Sequence, residues 1–154
     1  MQEGGPHFGS RIGAPHRYPR LLRPLFQRFG IRLAYLFGSQ AIGHTGPLSD
    51  IDLAILWPED ERLPMLASMK LQQAIRDRLQ DERIEVGPLN TQGIGFCFQV
   101  IRDGLLLYGT ERDRVRFETK VLNEHHDFQY WDELHEQALQ RAILRTAVGN
   151  GRPR

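Results

Sequence analysis

Ten residues separate Gly38-Ser39 from Asp50-Ile51-Asp52, and this arrangement constrains the chain more than any other feature it carries. The motif lies in LAYLFGSQAIGHTGPLSDIDLAILW, residues 33 to 57, where one apolar run ends in Gly-Ser and a second carries two aspartates at alternate positions. Short apolar runs punctuated by Gly and Pro read as strands. On a strand, alternation turns Asp50 and Asp52 to one side of the sheet and sends Ile51, Leu53 and Ile55 to the other, against helices. Aspartate is disfavoured in strands, and two like charges on one face repel unless a cation lies between them. The pair is therefore expected to hold a hard divalent cation such as magnesium, and magnesium is a metal of phosphate chemistry. A Gly-Ser turn directly after a strand lets the backbone meet a phosphate, Gly38 by allowing close approach and Ser39 by its hydroxyl. Alone, Gly-Ser is an ordinary turn; its place ten residues before the aspartates gives it weight.

The rest of the chain supplies a frame for that site. Residues 1–18 are rich in Gly, Pro, His and Arg without periodicity and read as a solvated tail. Leu21, Leu22, Leu25 and Phe26 recur at helical spacing up to Gly30. Strands are expected over 31–37 and 50–56, the second stopped by Pro58. A helix follows the acidic run Glu59-Asp60-Glu61, with Leu63, Leu66, Met69, Ile75 and Leu79 expected to face a core. Residues 83–86 form a third strand, 95–102 a segment of helical character, and 105–108 a fourth strand after the Asp103-Gly104 turn. From Thr110 to Val148 the pattern is helical, with a break expected near Asn123–Asp127, and 149–154 is a short tail. One domain over 19–148 is the expectation for 154 residues.

Glu85, in the third strand, is the candidate for a third carboxylate. Pairing would set it opposite the aspartates, where it completes the metal site and accepts a proton from an attacking hydroxyl. An exposed glutamate on an edge strand accounts for the residues equally well. Other motifs carry less. There is no Gly-four-residues-Gly-Lys loop, and Gly93-Ile94-Gly95 lacks the third glycine of a dinucleotide fingerprint. His125-His126-Asp127, with His135, matches no zinc spacing and reads as a turn between helices. Phe128, Tyr130, Trp131 and Leu134 are expected to dock the last helix on the core, with a partner surface as the alternative. Arg112, Arg114, Arg116, Arg141 and Arg145 read as a solvated face from which one side chain could touch nucleotide phosphates.

Composition excludes little but sets the class. The chain is 40% hydrophobic and 25% charged with a net charge of +1, which leaves no global basic footprint for nucleic acid. The single cysteine, Cys97, rules out a disulfide framework within the chain and reads as a small buried hydrophobe. The N-terminus lacks the apolar core of a signal peptide, and no apolar stretch nears the ~20 residues of a membrane helix, so a cytoplasmic protein is expected.

Gly-Ser, the ten-residue gap and Asp-x-Asp resemble the DNA polymerase beta-like nucleotidyltransferase superfamily. The continuation RIEVGPLN, then FQVIRDGLLLYG, then RVRFETKVLNEHHDFQYW resembles its minimal nucleotidyltransferase (MNT) group, the antitoxin-type partners of HEPN-domain toxins. The likeness runs from about Leu33 to Trp131. It implies an α/β (α+β) fold: a small mixed sheet flanked by helices, with a helical C-terminal part over 110–148. It also implies Gly38 and Ser39 as phosphate contacts, and Asp50, Asp52 and Glu85 as magnesium ligands. The family usually has aspartate where this chain has Glu85, one methylene longer. MNT proteins of this kind transfer AMP from ATP to a tyrosine of a HEPN ribonuclease, which makes ATP the expected substrate and a HEPN toxin the expected partner. Two alternatives stand beside this one. The first is a degenerate module that neutralises its toxin by contact. The second is a small-molecule, aminoglycoside-type nucleotidyltransferase, although those enzymes usually carry a larger second domain.

Overall fold

The structure is a computed structural model that describes residues 17–38 and 50–149, without the side chains of residue 17 and residues 146–149. Ser39, most of the expected N-terminal tail and the last five residues lie outside the described residues. The elements follow in the order α1 (Arg17–Phe29), β1 (Leu33–Phe37), β2 (Ile51–Leu56), α2 (Pro64–Leu79), β3 (Ile84–Pro88), a 3-10 turn at Leu89–Thr91, α3 (Ile94–Asp103), β4 (Leu105–Tyr108) and α4 (Glu111–Gly149). Helix α1 thus begins two residues inside the segment expected to be a tail. The four strands lie in the order β3-β2-β1-β4. Strand β1 is antiparallel to β2 and β4, while β2 is parallel to β3. That parallel pair needs a crossover connection, and α2 supplies it.

Alternation divides the core between the two faces of the sheet. Ala34, Leu36, Ile51, Leu53, Ile55 and Ile84 pack against Leu22 and Phe26 of α1 and Leu71 and Ile75 of α2. Leu33, Tyr35 and Ala54 turn the other way, against Cys97 and Val100 of α3 and Val121 of α4. Cys97 is buried as expected, and burial pushes its thiol upward.

Two expectations about helices need correction. The buried face of α2 is Ser68, Leu71 and Ile75, with Leu79 partly covered, whereas Leu63, Leu66 and Met69 are exposed. The face was misread because one of its members is polar. The indole N–H of buried Trp57 donates to the Ser68 hydroxyl at 2.9 Å, so a serine is required where the pattern suggested an apolar residue. The second correction concerns α4, which runs without a break through Asn123–Asp127. That stretch contains neither Pro nor Gly, and the weak propensities of Asn, His and Asp cost only ~0.7 kcal/mol each at most, too little to end a helix.

The start of α4 is fastened to the sheet by polar contacts. Arg32 meets Asp113 at 3.1 Å, the Tyr35 hydroxyl donates to Glu118 at 3.0 Å, and Arg114 bridges Glu118 and Glu111. The His125 ring stacks on Phe98 of α3 at 3.8 Å. From His126 to Arg145 every side chain is exposed, including the aromatic residues expected to dock on the core.

The helix-face correction can be checked by urea unfolding. Ile75→Ala is expected to cost ~2–5 kcal/mol, as a fully buried truncation does. Met69→Ala on the outer face should stay within ~0.5 kcal/mol of the parent. Equal losses would restore the original face.

Candidate active site

The site forms where β1 ends and β2 begins. In the antiparallel register Phe37 stands opposite Asp52, and in the parallel register Asp52 stands opposite Glu85. Directly opposed residues project from the same side of a sheet. Asp52 and Glu85 therefore share the face that carries Ala54, Tyr35 and α3, at the edge where the apolar cover runs out. Asp52 is half-buried, and Glu85 is exposed. Asp50 lies one residue before β2 rather than within the strand, and it is exposed.

Gly38 is fixed by this arrangement. It follows β1 with φ +77°, a conformation that side chains other than hydrogen rarely tolerate. A Cβ at this position would fall 2.7 Å from Oδ2 of Asp52. The glycine thus lets the turn come down beside the carboxylate, leaving the backbone as the surface nearest to it. Ser39 lies outside the described residues, so its expected role stays a reading of the sequence.

Electrostatics mark the same spot. The Asp52 carboxyl is pushed above the ordinary carboxylate range, first by burial and then by the negative charges of Glu85 and Asp50. Among the described residues, no three acidic, histidine or cysteine side chains converge into a group that could hold a metal ion. Hard oxygen donors and crowded negative charge beside the Gly38 turn fit a cation–nucleotide pair.

Two neighbours of the site escaped the sequence reading. Phe96 of α3 sets its ring edge-on to Phe37, with centroids 5.4 Å apart, and walls the face beside Asp52. Arg83 is clamped by Asp81 through contacts at 2.6 and 2.9 Å, which hold its guanidinium charged, with a smaller contribution from the negative charge of Asp50. Neither has a local sequence signature, since one comes from a helix over the sheet and the other from the loop before β3. His125, His126 and His135 lie along α4 and form no metal group with other described residues. Arg114 is committed to Glu111 and Glu118, and Arg116 to Glu59 at 3.6 Å.

The fold and this site define a nucleotidyltransferase. Residues 21–113 match the family described as polymerase beta, nucleotidyltransferase. The chain is 30% identical over 120 residues, 78% of its length and 78% of the relative's, to the protein adenylyltransferase MntA of Shewanella oneidensis. It therefore belongs to the polymerase beta nucleotidyltransferase family, in the minimal nucleotidyltransferase group that its motifs resemble. Among solved structures it is similar to a toxin–antitoxin crystal structure with AMP-PNP, at 27% identity and a TM-score of 0.59, covering 88% of this chain and 98% of the other. It is also similar to a tri-AMPylated Shewanella oneidensis HEPN toxin in complex with an MNT antitoxin, with a TM-score of 0.57 over 87% of this chain and 98% of the other. At 24% identity that second likeness speaks for the fold alone.

The charge crowding at Asp52 has a measurable sign. A carboxyl raised in the folded state holds its proton more tightly there than in the unfolded chain. The metal-free fold accordingly loses stability as pH rises above the ordinary aspartate range, about 4. Asp52→Asn is expected to raise the thermal midpoint of the metal-free protein at neutral pH, with the gain vanishing near about pH 3. A variant less stable than the parent at both pH values would contradict the crowding.

Proposed function

We propose that this chain is an antitoxin-type protein adenylyltransferase that transfers AMP from ATP to a tyrosine hydroxyl of a HEPN-type toxin and so silences it. The observation that carries the reading is the meeting of Gly38, Asp52 and Glu85 at one end of the sheet. It gives a phosphate-accessible backbone, a cation-seeking carboxylate pair and a proton acceptor within one small area. The named relative, a protein adenylyltransferase, supports the reaction, and the toxin–antitoxin structure with an ATP analogue supports both nucleotide and partner. Residues 19–148 act as one nucleotidyltransferase unit in this reading. The lone, buried cysteine is in keeping with a reducing, cytoplasmic setting. Among the described residues no helix is long and apolar enough to cross a membrane.

Each residue then has a task. Gly38, with Ser39 after it, receives the outer phosphates of ATP against the backbone. Asp50 and Asp52 would hold magnesium, which when bound neutralises phosphate charge and stabilises the pentavalent arrangement at the α-phosphorus. Glu85, beside Asp52, takes the proton of the attacking tyrosine hydroxyl. The tyrosine oxygen bonds to the α-phosphorus, the bond to the β-phosphate oxygen breaks, and pyrophosphate leaves. Glu85 is exposed, so its longer side chain is open to an incoming hydroxyl in this reading.

Glu85 also supports a second reading, in which a weakened transferase neutralises its toxin by contact alone. α-Labelled ATP with magnesium and the co-purified toxin separates the two. We expect label on the toxin, reduced by roughly 10²-fold or more in Asp50→Ala and Asp52→Ala, because even outer-shell changes at metal sites cost up to that factor. Neutralisation should fall with it. Unlabelled toxin that is nevertheless neutralised, equally well by Asp50→Ala, would establish the contact reading, and label on an aminoglycoside without any protein partner would favour a small-molecule enzyme.

A further inference from the structure

Arginines that the catalytic reading leaves unused gather at the far end of the sheet. Asp52 stands opposite Phe37, at the end of β1. Arg32 directly precedes that strand, and its backbone N–H donates to the Leu56 carbonyl at 2.8 Å, where β2 ends. Five steps of strand, ~16 Å, separate the two ends. Two adjoining hollows lie at the Arg32 end, of about 480 and 610 Å³, and they share Arg32, Thr110 and Asp113. Arg20 and Arg23 of α1 line the first, and Arg112 and Arg116 of α4 line the second.

Charge is lopsided there. Helix α1 has no acidic residue over Arg17–Phe29. Asp113 is the one carboxylate among the described residues that line the two hollows, and Arg32 holds it at 3.1 Å. Glu59 reaches Arg116 from outside at 3.6 Å, an exposed pair of the kind that contributes little. Glu111 is taken by Arg114. Arg20, Arg23 and Arg112 are exposed and form no ion pair with any described residue. A surplus of three positive charges therefore remains after every pairing is counted.

The backbone holds this cluster together. Gly109, at φ +137°, turns β4 into α4 so tightly that a Cβ there would fall 2.9 Å from the Arg32 carbonyl oxygen. The Thr110 hydroxyl is already occupied as the cap of α4, accepting the Asp113 N–H at 3.1 Å. Attraction for a ligand comes from guanidinium groups, whose planar forks match phosphate oxygens two at a time.

We propose that the arginine-lined end of the sheet is a second anion site, separate from the catalytic one, that takes a small molecule carrying two or more linked phosphates. One phosphate brings only about −1.5 to −2 of charge and leaves part of the surplus unanswered. The unpaired arginines are also divided between two hollows, so linked phosphates reach groups that a single one does not. Hollows of this size are those of small-molecule sites, about 300–1,000 Å³. Ile31, Leu107 and Tyr108 give the first hollow an apolar side that suits an organic body attached to the phosphates. Nucleic acid is the poorer match, because the chain's net charge is +1 and the arginines line hollows rather than a continuous face.

The test titrates the full chain with inorganic tripolyphosphate, and separately with ATP, in buffer freed of divalent cations. Without a cation the carboxylates at Asp50, Asp52 and Glu85 repel phosphate, which keeps the catalytic end silent. One saturable site is expected, weakening as salt is added. The double variant Arg20→Ala, Arg23→Ala and the single variant Arg112→Ala should each lose at least roughly tenfold in affinity, as a lost charge-assisted contact does. Arg141→Ala, far along α4, should bind as the parent does. Amide signals of Gly109 and Thr110 should shift on titration while that of Gly38 stays in place. Equal affinity for the two probes means that phosphates alone are recognised, and tighter ATP binding adds the apolar side of the first hollow; either upholds the site. Absence of saturable binding by both probes overturns it, as does parental affinity in the arginine variants. So does a short single-stranded RNA that binds through the same arginines more tightly than either probe. None of these outcomes bears on the adenylyltransferase reading, which requires magnesium.

Discussion

Strand β2 holds the structure to one register, because its two faces have incompatible needs. Ile51, Leu53 and Ile55 must lie under α1 and α2, while Asp52 must reach a place where charge is tolerable. A slip of one residue would bury the aspartate among Leu22, Phe26, Leu71 and Ile75 and expel three apolar side chains. Burying an unpaired carboxylate alone costs several kcal/mol, comparable with the whole stability of a domain of this size. With β2 fixed between β1 and β3, the neighbours follow: Phe37 and the Gly38 turn on one side, Glu85 on the other. The hydrophobic core and the candidate site are thus specified by the same alternation.

The site is held at a cost. Asp52 is half-covered, faces Glu85 and feels Asp50, and its raised proton affinity records the strain of keeping that charge in place. Gly38 adds a second demand, since a left-handed turn beside a carboxylate admits no side chain. Neither feature improves the packing of the sheet. Both are in keeping with the proposed nucleotide site, where a cation would relieve the carboxylates.

Legibility in the sequence followed the range of the interactions involved. The Asp-x-Asp strand, its buried face and the fourth strand at Leu105–Tyr108 could be read because a period of two is a local property. Glu85 as the partner of Asp52 was a harder expectation, since parallel pairing depends on where the α2 crossover returns, yet the register has it so. The face of α2 was misjudged because Ser68 is buried for the sake of Trp57, eleven residues away. The supposed break in α4 overestimated what a few weak helix formers can do. Phe96 and Arg83 were out of reach, because their relation to the site exists only after α3 and the loop before β3 have packed.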